Sequence, residues 1–143
     1  MRQVRHLLES KQLGVVSIAP ESPVIDALKL MADHGVGAVL VMEAGRKLVG
    51  ILSERDYARK VVLLGRTSAN TPVSEIMSHQ VVCGRLGDTV DQCMQVMTEK
   101  RIRHLPILEH KEVVGIVSIG DLVKAVIDEQ QIELRHLQEY IAS

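Results

Sequence analysis

The chain has 143 residues, a net charge of −1 and 46% hydrophobic residues, with no Phe, no Trp and only Tyr57 and Tyr140 as aromatics. That balance gives no bulk electrostatic pull toward nucleic acid or anionic lipid, and no apolar run approaches the roughly 20 residues of a membrane span. The core must be aliphatic, so a planar ligand would be gripped by Val, Leu, Ile, Ala and Met rather than stacked on aromatic rings.

In chain order, Val4 to Leu8 reads as a short amphipathic lead-in helix. The flanking Arg2, Arg5, His6 and Glu9 lack the apolar stretch of a secretory signal. Leu13 to Ala19 reads as a short strand, and Pro20 to Pro23 as a turn. Val24, Ala27, Leu28 and Met31 follow at the i, i+3, i+4, i+7 spacing of an apolar helix face. Val36 to Val41 is a buried-strand run, and the turn Glu43 to Lys47 leads into a second strand, Leu48 to Leu52, making a hairpin. A helix then runs to about Leu64. Its basic residues Arg55, Arg59 and Lys60, with Arg66 beyond, form either a solvated face or a local anion site.

Gly65 to Pro72 is a polar connector. Beyond it the pattern repeats. Val73 to Met77 echoes the lead-in, and Val90, Cys93, Met94 and Met97 repeat the helix face 66 positions on. Ile102 to Ile107 and Val113 to Val117 repeat the two hairpin strands. Gly50-Ile51-Leu52-Ser53-Glu54-Arg55-Asp56-Tyr57 returns 65 positions on as Gly115-Ile116-Val117-Ser118-Ile119-Gly120-Asp121-Leu122. The sequence therefore divides into a first module with its lead-in (1–64), a linker (65–72), a second module with its lead-in (73–127) and a helical extension (128–143). The stretch from Asp121 to Ile141 carries a stripe of Val123, Val126, Ile127, Leu134, Leu137 and Ile141. That stripe fits helix contact with a second subunit, or packing across its own module.

Ser-x-x-Asp at a strand-to-helix junction has a sufficient structural cause, a capping box. The same geometry can hold a carboxylate for the vicinal diol of a ribose, beside free N–H groups that suit phosphate. Gly50 and Gly115 fit close approach of a ligand to the backbone. One of Arg103-His104, between Ile102 and Leu105, is expected to point inward, where an anionic ligand would balance its charge.

Val81-Val82-Cys83 after Val73-Ser74-Glu75-Ile76-Met77, then Arg101 to Ile107, then Gly115 to Leu122, resemble a pair of cystathionine-β-synthase (CBS) domains, the Bateman module. The first-copy ending from Gly50 to Lys60 is similar to that of small stand-alone bacterial members and some organellar ones. The resemblance spans about Val4 to Ile127. It implies an α/β (α+β) fold of two pseudo-twofold-related modules, each a small three-stranded sheet with two helices. It also implies up to two sites for adenosine-containing ligands in the cleft between the modules: AMP, ADP, ATP, S-adenosylmethionine or NAD. Asp56 and Asp121 would take the ribose hydroxyls, with Ser53 and Ser118 beside them. Ile18 and Ala19 in one site, and Val82 and Cys83 in the other, would lie against the base. Arg103 or His104 would reach the phosphates, and Arg55 could do so from the first copy. Gly37-Ala38 stands where the second copy has Arg103-His104, so Ala38 brings no charge to the first site and the second should hold phosphate more firmly.

The function expected is that of a regulatory, signal-transduction module acting on a partner in trans, in the cytoplasm and as a homodimer. No catalytic cofactor, metal, nucleic acid or membrane is expected. An enzyme is disfavoured because no nucleophile–base pair or Gly-x-Ser-x-Gly elbow occurs, and His6, His34, His79, His104, His110 and His136 lack metal-ligand spacing. The alternative is a thiol-redox or protein-interaction module, with Cys83 partly exposed and Cys93 a small core residue. The two cysteines lack CxxC spacing and make a poor disulfide framework.

Overall fold

The structure, a computed structural model, describes residues 2–10, 15–44 and 47–142. Leu13 and Gly14, at the start of the expected first strand, and Gly45 and Arg46, in the first hairpin turn, lie outside the described residues. The elements are α1 (Val4–Ser10), β1 (Ser17–Ile18), α2 (Val24–His34), β2 (Ala38–Glu43), β3 (Lys47–Ser53) and α3 (Glu54–Tyr57). They continue with α4 (Val73–Ile76), β4 (Gly84–Arg85), α5 (Val90–Lys100), β5 (His104–Glu109), β6 (Glu112–Ser118) and α6 (Ile119–Ala142). The fold is mixed α+β, with two three-stranded sheets ordered β1-β2-β3 and β4-β5-β6. In each sheet the first pair is parallel and the second antiparallel.

Middle strands β2 and β5 are buried over most of their length, which is why they read as unbroken apolar runs rather than alternating ones. Both hairpins shift register at the same place, after Val41 and after Ile107. The second closes on two residues, His110 and Lys111, at φ of 51° and 67°. Two central residues at positive φ define a type I′ turn, which matches the twist of its strands. The apolar helix faces sit where the periodicity puts them: Val24, Ala27 and Met31 are buried, as are Val90, Cys93 and Met97.

Two compact units emerge, and the division is not sequential. The first unit is Gly14–Val82; the second combines Met1–Leu13 with Cys83–Ser143. Each lead-in helix thus belongs to the unit of the other repeat. In the first unit, Val73 and Ser74 N–H groups donate to the carbonyls of Ser22 (2.8 Å) and Pro20 (2.8 Å). In the second, Val4 and Arg5 donate in the same way to Asp88 (2.9 Å) and Leu86 (3.1 Å). The sheet-face glycines explain the exchange. A Cβ on Gly50 would lie 2.6 Å from Met77 Sδ, and one on Gly115 would lie 2.7 Å from Leu8 Cδ2. The close approach these glycines allow is therefore by the exchanged lead-in, which corrects their expected role as ligand-facing backbone.

The helices after the two motifs differ. α3 lasts four residues and passes into a π-helical turn, Ala58–Val62, whereas α6 is continuous for 24 residues. Among the described residues no helix is long and apolar enough to cross a membrane.

Candidate functional site

Each Ser-x-x-Asp motif sits where the last residue of a hairpin strand caps the next helix. In the first, Ser53 N–H donates to Asp56 Oδ2 at 2.9 Å, and Asp56 N–H returns a bond to Ser53 Oγ at 3.2 Å. Ser53 Oγ–H also donates to Asp56 Oδ2, at 3.1 Å. In the second, Ser118 N–H donates to Asp121 Oδ2 at 2.8 Å, and Asp121 N–H to Ser118 Oγ at 3.2 Å. The junctions are braced alike: Glu54 N–H donates to the Gly37 carbonyl (3.0 Å) and Ile119 N–H to that of Arg103 (2.9 Å). Ala38 pairs with Ser53 in the ladder, and His104 pairs with Ser118. The capping box is therefore real in both copies, and it fixes each carboxylate at a helix start.

What surrounds the two carboxylates differs. Asp56 has Lys60 Nζ 3.6 Å from its Oδ1, and that ammonium also donates to the Ile76 carbonyl at 3.0 Å. Asp121 instead lines a cavity of about 360 Å³ with Arg2, Lys124 and Asp128, floored by Leu7, Val117 and Ala125. Arg2 and Lys124 were not legible as site residues. Lys124 could have been found, since it lies three positions after Asp121 on one helix, the spacing of neighbours. Arg2 reaches the second repeat only through the lead-in exchange, which periodicity does not report.

Other expected site residues are more dispersed. Arg55 and Arg103 are exposed and His104 is half-buried, so the inward member of the Arg103-His104 pair is the histidine. Arg66 pairs with Glu75 and Lys60 with Asp56, so of the basic group only Arg55 and Arg59 project as a solvated face. Ile18 lies in β1 opposite Val41, three register positions from Ala38 and across the sheet from Ser53, with Ala19 one residue further away. The structure therefore does not bring Ile18 and Ala19 beside Ser53 and Asp56. Since Ile18 faces Val41 and Gly84 faces Ile107, the matching positions across the repeats are Val16 with Val82 and Ser17 with Cys83. The constant 66-residue offset carried that signal. Val82 and Cys83 precede β4 rather than forming it, and both are half-buried. Cys83 lines a separate cavity of about 520 Å³ at the hairpin end, with Arg5, Arg85, His110 and Lys111, so it does not share the Asp121 cavity.

Burial pushes the Cys83 thiol up from its ordinary value. Cys93 is raised to about 11, first by burial and then by the nearby Asp88 carboxylate. Neither is a ready thiolate at neutral pH, which counts against the redox alternative.

Comparison with known proteins agrees with this architecture. The CBS domain family matches residues 8–63 and 73–128. The mitochondrial CBS domain-containing protein CBSX3 of Arabidopsis thaliana is 42% identical over 125 residues, covering 85% of this chain and 61% of that protein. The chain thus spans less than two thirds of that relative's length. A protein with CBS domains from Burkholderia ambifaria is 44% identical, covers 90% of this chain and 96% of its own, and superposes with a TM-score of 0.84. The CBS domain pair of MJ0100, solved with 5′-methylthioadenosine and S-adenosyl-L-methionine, shares the fold at 22% identity and a TM-score of 0.80, covering 90% of this chain and 98% of its own. Two family matches, two sheets and two capped Asp motifs lead to one conclusion: the chain belongs to the CBS-domain family, as a tandem pair of the regulatory type.

Proposed function

We propose that this pair senses an adenosine-containing ligand, held chiefly at Asp121. The observation that carries the reading is the cavity in which a serine-fixed carboxylate stands with two cations, Arg2 and Lys124. A carboxylate at a helix start accepts the two hydroxyls of a ribose, and flanking cations suit phosphate. The cavity, near 360 Å³, lies at the small end of ligand pockets, which favours AMP over ATP or the dinucleotide NAD. S-adenosylmethionine would offer its own cation to Asp128. The family and the adenosine ligands of MJ0100 support the class of ligand, not its identity.

In this reading Ser118, Asp121 and His104 form the ribose end and Arg103 adds long-range positive charge. Asp56, Ser53, Arg55 and Ala38 form a weaker first site, because Ala38 brings no charge where the second copy has His104. The module is non-catalytic and cytoplasmic, forms a homodimer and passes ligand status to a partner in trans.

Isothermal titration with AMP, ATP, NAD and S-adenosylmethionine tests this. Replacing Asp121 with Ala removes charge-assisted hydrogen bonds worth about 1.5–3 kcal/mol, a ten- to hundredfold loss of affinity. If no ligand binds below about millimolar, or Asp121→Ala leaves binding intact, the assignment fails.

A further inference from the structure

α6 continues well beyond the sheet it packs on. Its buried residues are Leu122 and Ala125, and every residue from Gln130 to Ala142 is exposed. That overhang is not uniformly polar. Val123, Ile127, Leu134, Leu137 and Ile141 are 42%, 48%, 55%, 55% and 74% exposed. With Gln130 they fall at alternating intervals of four and three residues, the a and d positions of a heptad carried through three turns of the repeat. A single buried face of an ordinary surface helix would be wider. A stripe this narrow, with Ile132 and Tyr140 exposed outside it, is the pattern that meets an identical seam.

We propose that α6 pairs in parallel with α6 of a second copy, as a two-stranded coiled coil. Ile127, Leu134 and Ile141 occupy a; Val123, Gln130 and Leu137 occupy d. This deepens the homodimer part of the proposed function and does not depend on the nucleotide. Six partly exposed side chains from each copy remove roughly 1,000 Å² from water, the size at which specific interfaces begin. Direction follows from the flanking charges. An antiparallel pair matching a to d over this stretch would set Glu133 against Glu133 of the partner subunit at g, a like-charge contact. The parallel pair sets Glu133 opposite Gln138 of the partner subunit. It also places Gln130 against Gln130 of the partner subunit, whose amides hydrogen-bond and fix register, as a lone polar residue in such a seam does. Ile at two of the three a positions and Leu at one d position favour two strands over three or four.

Sedimentation velocity on the full chain from about 1 to 100 µM gives the test. The expected result is a monomer–dimer equilibrium that Leu134→Glu shifts toward monomer by at least a hundredfold, and Leu137→Glu likewise. The helix is already solvent-exposed there, so both variants should keep the wild-type circular dichroism and AMP titration. Gln130→Cys should form an intermolecular disulfide on mild oxidation. A chain that stays monomeric at 100 µM, assembles as a trimer or hexamer, or dimerises regardless of Leu134→Glu and Leu137→Glu overturns the proposal. Absence of the Gln130→Cys disulfide in a dimer overturns the parallel arrangement. Loss of nucleotide binding alone, with the dimer intact, counts against the nucleotide reading and leaves the coiled coil standing.

Discussion

The two repeats place the same carboxylate on the same capping serine and then treat it differently. After Asp56 the helix lasts one turn before a π-helical turn brings Lys60 to the carboxylate and to the Ile76 carbonyl. After Asp121 the helix runs on unbroken, and the carboxylate faces a cavity shared with Arg2 and Lys124. Duplication thus preserves the frame, and the residues one turn downstream decide what each carboxylate faces.

The largest effects should come from the exchanged lead-ins. Gly50→Ala sets a methyl 2.6 Å from Met77 Sδ and 3.0 Å from the Ser78 carbonyl, and that backbone oxygen cannot swing aside. A loss near the top of the range of about 1–3 kcal/mol is expected for such overpacking. Gly115→Ala meets only the side chain of Leu8, which can rotate, so its loss should be smaller. Denaturant unfolding of both variants checks the order; equal losses would mean the two lead-ins pack alike.

Next comes Cys93, which stands where the first repeat has Ala27. Its folded thiol is raised from 9.0 to about 11, so it holds its proton more tightly folded than unfolded. The stability this contributes is complete below pH 9 and is lost as pH rises through about 11. The loss should be on the order of 2 kcal/mol. Cys93→Ala, which makes the repeats alike here, should flatten that part of the melting-temperature profile against pH.

Smaller still are two backbone positions. α2 ends on Gly35 at φ 63°, whereas α5 ends on Arg101 at φ 56°, a left-handed conformation that a side chain resists. Arg101→Gly should stabilise the protein by up to about 1 kcal/mol. Replacing His110-Lys111 by Asn-Gly, the residues a type I′ turn prefers, should add a few tenths, on the order of 0.5 kcal/mol. Thermal melts resolve both; no gain at Arg101 would mean its side chain makes compensating contacts.

The fold was largely legible because both repeats carry their core faces as periodicity. Val24, Ala27 and Met31 read as one helix face, and Val36 to Val41 as a buried strand, with no tertiary information. The exchange of lead-ins was not legible, since an apolar face says that a helix packs but not against which repeat. β4 at Gly84–Arg85 was not legible, because a two-residue strand is set by its β5 partner, not by its own hydrophobicity. Of the site, Ser53, Asp56, Ser118 and Asp121 were visible as motif. Arg2 was hidden by the exchange, and Lys60's claim on Asp56 by the π-helical turn.

The central claim, that the copies are unequal and Asp121 holds the stronger site, is tested most directly by the stoichiometry of AMP binding in calorimetry. The account expects one strong site per chain, kept in Asp56→Ala and lost in Asp121→Ala. Two equivalent sites, or a strong site lost in Asp56→Ala and kept in Asp121→Ala, would contradict it.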